Sequence, residues 1–118
     1  MPGTKDIATR WLAAFNAHDI EGLLSLYDEH AVHYSPKLKL RVPKTKGLIS
    51  GKSAMRDWWE GALKRFPSLH YKPVSITAGE DRVFMEYIRQ VAGEEDIQVA
   101  EALDIKDGLI VSSRVYHS

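Results

Sequence analysis

The side chains best placed to do chemistry lie in three alternating runs near the C-terminus. Side chains of a strand repeat every two residues, so each run sorts into two faces without any structure. One face of the run from residue 97 to 105 reads Ile97, Val99, Glu101, Leu103 and Ile105, a single carboxylate in a hydrophobic row. A carboxyl buried among apolar neighbours is pushed toward its neutral acid, which can donate a hydrogen bond to a developing oxyanion. The preceding run puts Arg89 in line with Val83, Met85, Tyr87 and Val91, and the last run puts Ser113 and His117 in line with Leu109, Val111 and Val115. Arg89, Glu101, Ser113 and His117 therefore form a polar cluster on one apolar surface. Within it His117, or a pocket water, is the expected proton carrier near neutral pH.

Arg89 also allows a competing reading, in which it pairs with Glu101 and the carboxylate merely orders the sheet. A three-residue connection, Glu94-Glu95-Asp96, sets the two side chains directly opposite each other. In the last hairpin a type I turn with Gly108 in a left-handed bulge sets Glu101 opposite Ser113. A two-residue Asp107-Gly108 turn sets it opposite Arg114. The bulge is preferred because it keeps both apolar rows on one side.

The elements that must hold these groups follow from the apolar spacing. From Thr4, residues Ile7, Ala8, Trp11, Leu12 and Phe15 recur at helical intervals, and Asn16-Ala17-His18-Asp19 interrupts them. Asp19 caps a short second helix with Leu23, Leu24 and Tyr27 on one side, and Ala31-Val32-His33-Tyr34 is extended. Between Gly51 and Pro67, Met55, Trp58, Trp59, Ala62, Leu63 and Phe66 make a third helix. The intervening stretch carries Lys37, Lys39, Arg41, Lys44 and Lys46 without an acidic residue, and reads as an exposed ribbon or loop. Four strand runs follow Ser68. Three helices in the N-terminal half and strands after them predict a single α+β domain over residues 1–118, with the helices on the concave face of a curved antiparallel sheet.

Composition removes several classes of function. Sixteen basic residues balance sixteen acidic ones, so no net field draws in nucleic acid or an anionic membrane. The chain has no cysteine, which excludes disulfides, thiolate zinc sites and Cys nucleophiles. His18, His30, His33 and His70 are scattered without metal-ligand spacing, so neither metal nor other cofactor is expected. No apolar run suits a leader or a spanning helix, and the expected location is the cytoplasm. Trp11, Trp58, Trp59, Tyr27 and Tyr87 supply an aromatic core from which one of the adjacent tryptophans is expected to reach a pocket.

The pattern from Trp11 through Asn16-Ala17-His18-Asp19 to Leu26-Tyr27, then Gly51-Lys52, Phe66-Pro67 and four strands closing near Tyr116, resembles nuclear transport factor 2-like proteins. SnoaL-like polyketide cyclases and ketosteroid isomerase belong to that superfamily. The resemblance runs from about Lys5 to His117 and implies a cone-shaped α+β fold enclosing an apolar pocket, commonly in a homodimer. Ser35 stands where the isomerase has its general-base Asp. Glu101 stands at its oxyanion-hole acid and Trp11 at its oxyanion-hole Tyr, with Tyr27 and Trp59 as aromatic supports. The acid–arginine–acid positions of the epoxide-hydrolase branch read Arg89, Tyr87 and Val115, which do not support that chemistry.

Together these readings predict a pocket for a hydrophobic or polycyclic small molecule, lined by Trp11, Tyr27, Ser35, Trp59, Tyr87, Arg89, Ser113 and Val115, with Glu101 and His117 as catalytic candidates. The expected chemistry is isomerisation or cyclisation by proton transfer, with Glu101 and Trp11 donating to the oxyanion. The alternative is a non-catalytic ligand-binding or association module of the same fold. Phe84, Ile88, Ala100, Ala102, Ile110 and Tyr116 on the outer face predict a homodimer.

Overall fold

A computed structural model describes residues 3–117 of the chain, the side chain of His117 excepted. The N-terminal apolar spacing folds as expected into α1 (Thr4–Asn16), with Ile7, Ala8, Trp11, Leu12 and Phe15 all buried. His18 then takes a left-handed backbone, φ 56°, and turns the chain. Asp19 caps α2 (Ile20–Leu24), its carboxylate accepting from the Gly22 N–H at 2.9 Å. Strand β1 (Tyr27–Tyr34) follows.

The basic stretch is not a ribbon. Pro36 occupies the first turn of α3 (Pro36–Arg41), where its missing N–H has no helical partner to lose. A 3-10 turn (Pro43–Thr45) and the short β2 (Leu48–Ser50) complete it. The basic residues come with alternating Leu38 and Leu40, of which only Leu38 is buried, and alternation over so few residues does not reveal one helical turn. Gly51, φ 87°, leads into α4 (Lys52–Arg65), which ends before Pro67. The N-terminal half thus holds four helices.

Strands β3 (His70–Ala78), β4 (Arg82–Gln90), β5 (Ile97–Lys106) and β6 (Leu109–His117) form a meander. The six-stranded sheet has the order β2-β1-β6-β5-β4-β3. All neighbours are antiparallel except β1 and β6, which run parallel, so the sheet is mixed. Closing the first strand against the last ties the helical half to the meander.

Both hairpin registers differ from expectation; the β4–β5 hairpin keeps the predicted faces, and the β5–β6 hairpin keeps them from Ser113 onward. The β4–β5 connection takes residues 91–96, so Arg89 faces Ile97 and Glu101 faces Met85. That is a slip of four residues, an even number, which leaves every side chain on its own face. Between β5 and β6 the chain turns in two residues, Asp107 at φ 53° and Gly108 at φ 79°, the positive pair of a type I′ turn. This sets Ile105 opposite Ile110. Val111 is then bulged out, so Leu103 faces Ser113 and Glu101 faces Val115. Bulge and tight turn coexist, and their sum keeps Ser113 and Val115 on the inner face while Ile110, before the bulge, turns inward as well. Two residues drop from the expected exposed outer face: Ile110, which the bulge turns inward and which is fully buried, and Ala102, which is buried too.

The core lies between the helices and the inner sheet face, with Trp11, Tyr27, Tyr87, Met55, Met85 and Leu103 among its most enclosed side chains. Among the described residues, no helix is long and apolar enough to cross a membrane.

Candidate functional site

A cavity of about 70 Å³ opens between α3, the end of α4 and the inner face of the sheet. Its floor is set by strand alternation. On β4 and β5 the inward rows carry Tyr87 and Glu101, both almost wholly buried and both lining the cavity. The Tyr87 hydroxyl donates to Glu101 Oε1 at 2.8 Å, while Oε2 is buried with no hydrogen-bond partner. Burial raises the Glu101 carboxyl to about 7, against the opposing pull of the Tyr87 hydrogen bond. Burial and the neighbouring carboxylate push the Tyr87 phenol far above its ordinary value, so it stays a donor.

Arg89 does not neutralise Glu101. It lies on the same inner row, yet the observed register carries it past the carboxylate, and its Nη1 contacts Glu94 Oε1 at 3.1 Å. Trp11 likewise departs from expectation. Its indole N–H donates to the Tyr27 hydroxyl at 3.0 Å and is not free for an oxyanion. Tyr27 donates in turn to Ser113 Oγ at 3.0 Å. Ser113 Oγ is 2.6 Å from His33 Nδ1. Ser113 Oγ accepts from Tyr27 and, according to the His33 tautomer, donates to Nδ1 or accepts from it through its second lone pair. Tyr27 and Ser113 therefore stand behind the cavity wall, whereas Trp11, Ser35, Trp59, Tyr87, Arg89, Glu101 and Val115 line it. The role assigned to His117 falls on a side chain outside the described residues.

His33 is the functional candidate that sequence reasoning passed over. It is buried and lines the cavity, and burial alone lowers its imidazole to about 4, so it is neutral at physiological pH. The signal was present: His33 shares parity with Tyr27, Ala31 and Ser35, all buried. Both adjacent tryptophans reach the cavity. Tyr71 and Phe15 join the wall through stacked rings, with centroids 4.0 Å apart between them and 4.2 Å from Tyr71 to Tyr87. The mouth is different in kind, formed by Lys37 and Arg41 of α3, Arg65 and Phe66 at the end of α4, and Arg89. Among the described residues, no group of three His, Asp or Glu side chains could hold a metal ion.

The SnoaL-like domain model matches residues 8–113. Among solved structures, a SnoaL-like protein of unknown function from Burkholderia thailandensis is 25% identical, with a TM-score of 0.85 over 97% of this chain and 93% of that one. TerC, co-crystallised with polyporic acid, superposes with a TM-score of 0.83 at 17% identity, over 97% of this chain and 90% of that one. A protein of ketosteroid isomerase-like fold from Catenulispora acidiphila, in complex with trimethylamine, gives 0.77 at 19% identity over 98% and 87% of the two chains. These last two likenesses establish the fold. No curated protein matches the sequence.

Proposed function

We propose that this chain, which belongs to the SnoaL-like domain family, binds a ring-bearing, largely apolar small molecule in its cavity and that Glu101 moves a proton on it. The observation that carries the reading is Glu101 Oε2: a buried carboxylate oxygen without a partner, in a residue that lines the cavity. Structural carboxylates are satisfied by their neighbours, and an unsatisfied one needs a reason. A group poised near 7 populates acid and base together at physiological pH, the best condition for taking and returning a proton. In the proposed step Oε2 takes a proton from carbon beside a ligand carbonyl, and the C–H electron pair moves onto the carbonyl oxygen as an enolate. Return of the same proton at another carbon completes an isomerisation with no net change in atoms or electrons. Neutral His33 lines the cavity and, in the tautomer with its ring hydrogen on Nε2, is the candidate donor to that oxygen. The crystallised relatives with small molecules support a ligand-binding use of the fold.

Exchange of the acidic C–H hydrogens of β-tetralone in deuterated water, followed by mass spectrometry, tests the chemistry without knowledge of the natural substrate. The protein should accelerate uptake, and Glu101→Gln should slow the catalysed rate by roughly 100-fold or more. Equal rates in the two proteins would remove the proton-transfer role and leave the ligand-binding module. Self-association through the outer sheet face is a separate part of the proposal, supported by exposed Phe84 and Tyr116. Light scattering at micromolar protein should give twice the chain mass, and a monomer mass would exclude it.

A further inference from the structure

We infer that the cavity takes an organic anion, ring first, with its carboxylate or phosphate held at the mouth by Lys37, Arg41 and Arg65. This rests on the ligand-binding reading above and adds the charge and orientation of the ligand. Four cationic side chains line the cavity, Lys37, Arg41, Arg65 and Arg89, while among the described residues lining it Glu101 at the floor is the one acid; the Glu94 carboxylate stands beside Arg89. Of the four, Arg89 has a carboxylate partner, Glu94. Among the described residues no ion pair involves Lys37, Arg41 or Arg65. Their grouping is close. The guanidinium carbons of Arg41, Arg65 and Arg89 lie 5.8, 5.9 and 5.2 Å from the centre of the same Phe66 ring.

Three guanidinium groups around one phenyl ring repel each other, and the ring's own quadrupole offsets only part of that. Burial first and then the neighbouring Arg41 lower Arg65; burial first and then Arg89 lower Lys37, with the Glu94 carboxylate opposing the shift. A bound anion relieves the repulsion and matches the planar guanidinium fork of Arg41 and Arg65. Placing that anion at the floor would set it beside a carboxyl that already resists ionising, so the charge belongs at the mouth. The stacked rings of Phe15, Tyr71 and Tyr87 then receive the apolar body. Such an orientation delivers the inner end of the ligand to Glu101.

The test uses tryptophan fluorescence, because Trp11, Trp58 and Trp59 all line the cavity. Probes are naphthoate, naphthyl phosphate and the neutral naphthalenemethanol, titrated into the wild-type chain and into Arg41→Gln/Arg65→Gln. A control, Lys44→Gln/Lys46→Gln, removes the same charge from the nearby 3-10 turn without touching the cavity. In low salt at least one anion should bind roughly tenfold or more tighter than the neutral probe, an advantage expected for a charge-assisted bidentate contact. The advantage should collapse toward unity in the arginine variant and survive in the control. Naphthoate and naphthyl phosphate report separately which anion the mouth prefers. Equal binding of all three probes, or an advantage lost equally in the control, overturns the inference and leaves the ligand-binding reading intact. Failure of every probe to bind overturns both.

Discussion

The floor and the mouth of one cavity solve the problem of ionisable groups in opposite ways. At the floor, Glu101, Tyr87, His33, Ser113 and Tyr27 are almost wholly buried, and burial pushes the four titratable ones among them toward their neutral forms. Hydrogen bonds chain the last three to Trp11, and among the described residues the one buried side-chain atom without a partner is on the residue proposed to react. At the mouth Arg41 and Arg65 are exposed, and water screens their mutual repulsion. Burial turns a titratable group into a proton carrier, and exposure lets like charges collect until a ligand neutralises them. The division predicts that floor substitutions act on folding and mouth substitutions on binding.

The largest expected effect is at the floor. Trp11 is 1% exposed, stacks on Phe15 and Tyr71 and donates to Tyr27. Trp11→Ala removes that packing and opens the floor, which should cost about 3–5 kcal/mol. Arg65→Ala at the mouth should stay within about 0.5 kcal/mol. Urea midpoints measured for both at neutral pH check the contrast, and a comparable loss in Arg65→Ala would abolish it.

The next effect separates two buried groups within the floor. Glu101 is raised from 4.5 to about 7 in the fold, so the folded state binds the extra proton and stability falls as pH rises through that window. His33 is lowered from 6.5 to about 4, so the unfolded state binds the extra proton and stability falls as pH drops through its window. Each linkage is worth about 3 kcal/mol. They oppose one another where the windows overlap, so the wild-type chain should show a nearly flat stability profile there. Glu101→Gln should instead gain stability steadily as pH rises across the His33 window. Parallel profiles for wild type and variant, from urea unfolding at a series of pH values, would show that Glu101 titrates normally.

Much of this was legible in the sequence because period-two alternation is insensitive to the details of hairpins. Glu101, Arg89 and Ser113 sort onto the inner face whatever the loop length, provided slips are even, and the two slips that occurred cancel or are even. Cross-strand partners are not legible in the same way. The Arg89–Glu101 pair needed one particular register, and the observed one lies four residues from it, giving Arg89 to Glu94. Ile110 was misplaced for the same reason, since a bulge at Val111 reverses the parity on either side of it. The cationic mouth was hidden because Arg41 and Arg65 lie on separate helices far apart in the chain, and only folding brings them to one Phe66 ring.

The smallest effect tests where floor gives way to mouth, at Arg89. Its side chain is 6% exposed, but its partner Glu94 is 43% exposed and returns to water when the arginine is removed. No buried charge is left behind, and Arg89→Met supplies an apolar side chain of similar reach. The loss should therefore be about 1 kcal/mol, from a half-exposed ion pair and the contact over Phe66. A buried pair with Glu101 would instead cost about 3–5 kcal/mol, because the carboxylate would remain enclosed without its cation. The neutral-pH urea midpoint of Arg89→Met discriminates between these values. A loss in the higher range would join Arg89 to the floor and give Glu101 an ionised, structural role, whereas the lower value keeps the carboxyl free for a ligand.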